Sequence, residues 1–212
     1  MTPEQFSRLA SEGYNRIPVM HEVLADLDTP LSSYLKLARG PYSYLFESVQ
    51  GGEKWGRYSM IGLPARRVLK AFGSRVQLEC NGQVEEQFEC ADPLAFVEEY
   101  KHRYRAPDLP DLPRFTGGLV GYFVYDCVRY VEPHLQESMP ADKLGTPDIL
   151  LTVSDEVLVF DNLAGKLILV VHANPEIDDA YVKAQARLRE LEAQLRAPVP
   201  SVPEVGLPEV EG

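Results

Sequence analysis

The side chains best placed to recognise a small molecule are Glu47 and Ser48, within SYLFESVQGGEKWGRYSMIG from Ser43 to Gly62. They stand in a run whose alternating Tyr44, Phe46 and Val49 read as a strand. A Gly51-Gly52 turn follows, and then a second alternating run through Tyr58 and Met60. A carboxylate inside an apolar strand is expensive to bury unless it meets a cation or several donors. Two arrangements would meet that cost. In the first, purely structural, Glu47 pairs with Arg57 or Lys54 across the turn and Ser48 caps the loop backbone. In the second, Glu47, the Ser48 hydroxyl and strand-end carbonyls bind the ammonium group of a ligand whose hydrophobic part lies against apolar neighbours. An ordinary hairpin with no ligand accounts for the same alternation.

Elsewhere the sequence offers little chemistry. His21, His102, His134 and His172 have no partner at ligand spacing and read as solvated or capping residues. The segment GGLVGYF, Gly117 to Phe123, lacks the spacing of a dinucleotide or phosphate loop. It runs into alternating Tyr122, Val124 and Asp126 where a helix would have to begin, so its glycines read as sites of close sheet packing or a bulge. The acid pairs Glu85-Glu86, Glu98-Glu99 and Asp178-Asp179 fall on turns or polar helix faces. No catalytic residue and no metal ligand is assigned to this chain. Cys80, Cys90 and Cys127, an odd number without CxxC spacing, suit reduced thiols better than a disulfide framework or a zinc site.

The elements that position these residues follow from caps and periodicity. Thr2-Pro3, Thr29-Pro30 and Asp92-Pro93 each put a side-chain oxygen at an N-cap and a proline at the first helical position. The apolar stripes that follow are Phe6, Leu9 and Ala10; Leu31, Leu35 and Ala38; and Leu94, Val97, Tyr100 and Tyr104. A further helix is expected over IDDAYVKAQARLRELEAQLRA, with Val182, Leu188, Leu191 and Leu195 on one stripe. Between the helices the period is two. In SRVQLECNGQVEEQF, a two-residue Asn81-Gly82 loop would put Val76 and Leu78 on the face opposite Val84. A three-residue loop with Gly82 in a bulge, pairing Leu78 with Val84, is therefore expected. RFTGGLVGYFVYDCVRYVE, DILLTVSDEVLVFDN and GKLILVVHAN read as further long strands, the last two joined by a turn from Asn162 to Gly165. The expected fold is α+β, with largely antiparallel, twisted, sandwich-like sheets and helices packed outside. Residues 1–197 form one domain, and the Pro-rich stretch 198–212 reads as an extended linker.

Composition sets the outer bounds. A chain of 212 residues, 45% hydrophobic and 25% charged, can bury a core of its own. Its formal charge of -11 would repel phosphate backbones and anionic lipid surfaces, so neither nucleic acid nor membrane is an expected partner. With no signal-peptide pattern and no apolar run of spanning length, a cytoplasmic location is expected.

LFES at Leu45 to Ser48, GGEKWGRYSMIG at Gly51 to Gly62, DPLAFVEEY, GGLVGYFVYDCVRYVE and PDILLTVSDEVLVFDN together closely resemble the N-terminal region of anthranilate synthase component I. The motif usually reads LLES; Phe46 here replaces its second leucine. The resemblance implies an enzyme that converts chorismate and ammonia to anthranilate and pyruvate with Mg²⁺, the ammonia coming from a glutamine amidotransferase subunit. It also implies that this chemistry belongs to a C-terminal chorismate-binding half. This stretch would be the regulatory and scaffolding part, inactive alone, with self-association an expectation for exposed sheet surface. In that family LLES helps form the tryptophan feedback site. Glu47 and Ser48 are the implied effector-binding residues, with Leu45, Phe46 and Tyr58 beside them and Lys54 and Arg57 as further candidates. Component I of aminodeoxychorismate synthase shares much of this pattern, and a free-standing amino-acid-binding module is the reading from another class.

Overall fold

A computed structural model describes residues 1–24, 28–47, 56–110, 112–132, 134–135 and 144–201. Three of its helices start where the caps require. In α1 (Pro3–Ser11) the Thr2 hydroxyl accepts from the Gln5 amide at 3.2 Å while the Gln5 side chain accepts from the Thr2 amide at 2.9 Å. In α2 (Pro30–Leu37) Thr29 and Ser32 exchange the same pair of bonds, and in α3 (Pro93–His102) Asp92 accepts from the Ala95 amide at 3.0 Å. The fourth helix, α4 (Ala180–Leu195), buries Ala180, Ala184, Leu188, Leu191 and Leu195. Ala38, Leu188, Leu191 and Leu195 face inward as expected, but Leu31 is 56% and Val182 60% exposed, and Leu37 is buried beside Ala38. In both helices small residues, Ser33 in one and Ala180 and Ala184 in the other, take the inner face and permit close approach to the sheet.

The strands are β1 (Ile17–Leu24), β2 (Tyr44–Glu47), β3 (Tyr58–Gly62), β4 (Arg67–Phe72), β5 (Arg75–Cys80), β6 (Gln83–Glu89), β7 (Gly118–Phe123), β8 (Ile149–Ser154), β9 (Glu156–Asp161) and β10 (Lys166–Ala173). They form two five-stranded antiparallel sheets, in the orders β1-β10-β9-β3-β2 and β6-β5-β4-β8-β7. The α+β class and its antiparallel sheets are thus as the sequence implies. The sheets meet at a corner: β3 leads into β4, and β8 passes into β9 through Asp155 alone, so both strand pairs cross from one sheet to the other. Helices α1, α2 and α4 cover one face of the first sheet around Ile17, Val19, Ile61, Leu158, Leu169 and Leu191. Helix α3 lies on the second sheet, where Tyr100 meets Leu69, Val76, Ile149 and Leu151.

Two strand expectations are corrected. The β5–β6 hairpin keeps the two-residue loop, with Asn81 at φ 51° and Gly82 at φ 77° and Cys80 opposite Gln83. A bulge further along moves the register, so that Val76 pairs with Phe88 while Val84 stays 50% exposed. Asn-Gly favours the tight turn that matches strand twist, and the bulge then recovers the apolar face with Phe88. Secondly, the strand opened by GGLVGYF stops at Phe123 and continues as a 3₁₀ helix over Tyr125–Tyr130. Asp148 holds that turn. Its carboxylate accepts from the Gly73 amide and Arg129 Nη2, each at 2.6 Å, and lies 2.8 Å from the Tyr130 hydroxyl. The glycines behave as expected, for a Cβ on Gly121 would lie 1.8 Å from the Leu150 carbonyl oxygen.

Candidate functional site

The LFES strand is an edge. β2 pairs on one side only, with β3: Tyr44 opposite Gly62, Leu45 opposite Ile61, Phe46 opposite Met60 and Glu47 opposite Ser59. The period of two sorts its residues onto two faces. Leu45 packs into the helix-covered core, and Glu47 follows it on that face at the strand's exposed end. Tyr44 and Phe46 lie on the other face, their ring centroids 4.9 Å apart, with Phe46 53% exposed. Tyr58 belongs to that second face, packed with Val157, Val159, Ile168 and Val170.

The costly buried carboxylate inferred from the sequence is therefore not what the fold contains. Glu47 is exposed, because β2 is a short edge strand and not an interior one. Nor does Arg57 pair with it. The Arg57 guanidinium donates to Asp161 through Nε at 2.9 Å and Nη2 at 2.5 Å, and lies over the Tyr58 ring with 4.8 Å to the centroid. Asp161 also accepts from the amides of Leu163 and Ala164 at the tip of the β9–β10 turn. Those bonds, Arg57's first, hold the Asp161 carboxyl below the usual carboxylate range, and Arg57 is held correspondingly above its ordinary value. The fold thus brings Phe46, Tyr58 and Arg57 to one sheet face and places Leu45 and Glu47 on the other. Ser48 and Lys54 lie outside the described residues.

Three positioning residues escaped the sequence reading. Tyr44 lies over Gly62 so closely that a Cβ there would come within 1.9 Å of its ring, and its hydroxyl reaches the Ser154 hydroxyl in the second sheet at 2.8 Å. Burial pushes the Tyr44 phenol up to about 12, so it remains neutral. Asp161 falls at the end of the run DILLTVSDEVLVFDN, read as a strand, and only the pairing of Tyr58 with Asp161 across β3–β9 puts it beside Arg57. Tyr44 carried a signal in its alternation with Phe46. Ser154 carried none.

Among the described residues no three His, Cys, Asp or Glu side chains gather as a metal site, and no helix is long and apolar enough to cross a membrane. The Mg²⁺ of the implied chemistry does not fit any grouping of these residues. Of the four histidines, His21, His102 and His134 are exposed, each beside a glutamate, whereas His172 is largely buried, contrary to the solvated reading.

No family model matches the chain. In sequence it is 62% identical over 199 residues to anthranilate synthase component 1 of Pseudomonas aeruginosa, covering 94% of this chain and 40% of that protein. To the component 1 of Neisseria meningitidis it is 51% identical, over 92% of this chain and 40% of that one. Among solved structures, anthranilate synthase component I from Streptococcus pneumoniae superposes with a TM-score of 0.52 at 26% identity, over 84% of this chain and 37% of that one. The chain thus spans about 40% of the length of the curated relatives it matches, in their N-terminal part. Similarity of this depth over 94% of its length makes the chain a member of the anthranilate synthase component 1 family, corresponding to the N-terminal stretch of those proteins.

Proposed function

We propose that this chain is the regulatory and scaffolding part of an anthranilate synthase component I, and that the β2–β3 edge supplies part of a tryptophan feedback site. The observation that carries the reading is an edge strand of Leu45 to Glu47 with a half-exposed phenylalanine, on the sheet face that also carries Tyr58 and Arg57, in a chain 62% identical to component 1 of Pseudomonas aeruginosa. Tryptophan has the matching parts. Its indole lies against Phe46 and Tyr58, and its ammonium reaches round the edge of β2 to Glu47 and Ser48, with Arg57 and Lys54 as the weaker candidates. The residues ask for an amine with a hydrophobic part, and tryptophan has both.

In this reading the conversion of chorismate and ammonia to anthranilate and pyruvate, and the binding of Mg²⁺, belong to the C-terminal chorismate-binding half. Ammonia comes from a glutamine amidotransferase subunit, and the whole works in the cytoplasm. Inhibition is a coupling free energy: tryptophan binds one arrangement of the two halves better and shifts the population away from the competent one. The anthranilate names of the relatives favour this branch over aminodeoxychorismate synthesis. In the intact enzyme, Ser48→Phe is expected to abolish tryptophan inhibition while ammonia-dependent anthranilate formation continues. Inhibition unchanged from the parent enzyme would refute the assignment.

A further inference from the structure

A cavity lies where the two sheets join, apart from the β2–β3 edge. Its volume is about 140 Å³, and it is bounded by Arg16 ahead of β1, Tyr104 after α3, Thr116 and Gly117 ahead of β7, Asp155 at the corner and His172 in β10. Leu119 and Val153 add apolar wall. Gly117, at φ 147°, is required there, for a Cβ would stand 2.4 Å from the Ser154 carbonyl oxygen and 2.8 Å from the His172 ring.

Arg16 is the unusual wall residue. It is 9% exposed, its guanidinium lies over the Tyr104 ring at 4.8 Å, and its Nη1 donates to the Asn15 carbonyl. Its Nε is buried and has no hydrogen-bond acceptor among the described residues. Asp155 Oδ1 is 3.2 Å away and attracts it as an ion, but does not lie in line with the N–H. A buried charged donor without an acceptor is costly, and a cavity beside it gives an acceptor room to enter. The local charge points to the sign of that acceptor. Arg16, Arg66 and Arg67 all act on Asp155, whereas the neighbouring Glu156 is neutralised by Arg187 at 2.8 Å. Three cations thus act on one carboxylate, that of Asp155, which is itself paired with Arg16. Lys101 at the rim is taken by Glu98, and His172 stands neutral with its ring nitrogens toward Asp155 O and the Thr116 hydroxyl.

We infer that this corner cavity binds a small monocarboxylate with a short apolar body, whose carboxylate accepts from Arg16 Nε while its carbon chain lies against Leu119, Val153 and Tyr104. Asp155 sets the charge limit: a dianion would face its carboxylate, whereas a monoanion leaves the surplus of arginines unspent. The apolar wall separates such a ligand from inorganic anions, which have nothing to bury there.

The test uses the 212-residue chain with butyrate as probe, butyramide as the uncharged control and inorganic phosphate as the purely anionic one, at constant ionic strength. Butyrate is expected to produce saturable ¹H–¹⁵N shifts at Gly117, Gly118 and the Arg16 Nε–H group, with dissociation in the millimolar range. Ala106→Phe, a substitution at an exposed residue of the cavity wall, should weaken binding at least about tenfold without loss of fold. Arg16→Gln should do the same where it folds, and the Ala106 variant keeps the test decisive where it does not. Equal response to butyramide or to phosphate would overturn the carboxylate assignment. Unaltered Gly117 and Arg16 signals at saturating butyrate, or full binding in Ala106→Phe, would overturn the site.

Discussion

At the scale of single residues, position on the sheet decides what each side chain can do. Gly62 is the tightest case, because the Tyr44 ring occupies the space of its missing side chain. Gly62→Ala is expected to destabilise the chain by about 2–3 kcal/mol in urea unfolding, by overpacking. In a Tyr44→Ala background the same substitution should cost much less, and additive effects would show that the two do not touch. Asp161 offers a functional counterpart. Asp161→Asn weakens the clamp on Arg57, so in the intact enzyme the tryptophan concentration for half-inhibition should rise about tenfold with ammonia-dependent activity kept. His172 carries a pH dependence. Burial, aided by Arg16, lowers its ring to about 4 from 6.5, so its neutral form contributes stability above pH 6.5 that is lost as pH falls toward 4. The loss integrates to the order of 3 kcal/mol, from the two values and the free energy of one pKa unit. The raised Asp155 carboxyl acts oppositely, its desolvation being relieved on protonation at acid pH. Urea unfolding of His172→Gln across this range should lose the His172 contribution and retain the opposing one.

Among elements, caps were the most legible feature and faces the least. Thr2, Thr29 and Asp92 cap helices as read, because an N-cap is a bond between residues three apart and needs nothing from the rest of the chain. Which stripe faces the core depends on a distant sheet, and there Leu31 and Val182 misled. The Asn81-Gly82 hairpin shows the same division. Its turn is local, but the bulge that restores the face depends on Phe88 meeting Phe96 of α3, with rings 5.1 Å apart and edge to face. That pairing predicts an asymmetry opposite to the one expected from Leu78 beside Val84. Phe88→Ala should cost about 3 kcal/mol in urea unfolding. Val84→Ala, on the exposed face, should stay within about 0.5 kcal/mol, and a large cost there would restore the register expected from sequence. The candidate site was legible in the same proportion. Leu45 to Glu47 form a strand as read, but the isolation of Glu47 from Arg57 rests on Asp161, more than a hundred residues away in sequence.

For the whole molecule, the two sheet faces that carry Phe46 and Tyr122 differ from those under the helices in how much apolar surface they leave open. Phe46 is 53% exposed, Phe123 at the end of β7 is 49%, and Tyr125 and Val131 beyond it are 91% and 66% exposed. A chain spanning about 40% of its relatives' length has a ready physical reason for such surface, since the rest of component I can cover it. Separation of the halves then has two measurable consequences. The 212-residue chain should self-associate at increasing concentration, seen as a rising weight-average mass in sedimentation, and Phe46→Lys should reduce it. A strictly monomeric parent would argue against an exposed docking face. The second consequence concerns function. With one wall of the tryptophan site present and the partner wall absent, the ligand loses part of its buried area and the contacts that close over its indole. Tryptophan should therefore bind the chain at least about a hundredfold more weakly than it inhibits the intact enzyme, by titration calorimetry against an inhibition curve. With chorismate, Mg²⁺ and ammonia the chain should form no anthranilate by fluorescence, since it spans about 40% of its relatives' length and the chemistry is proposed for the remainder. Product formed by the purified chain would place the chemistry within these two sheets and refute the division of labour proposed for it.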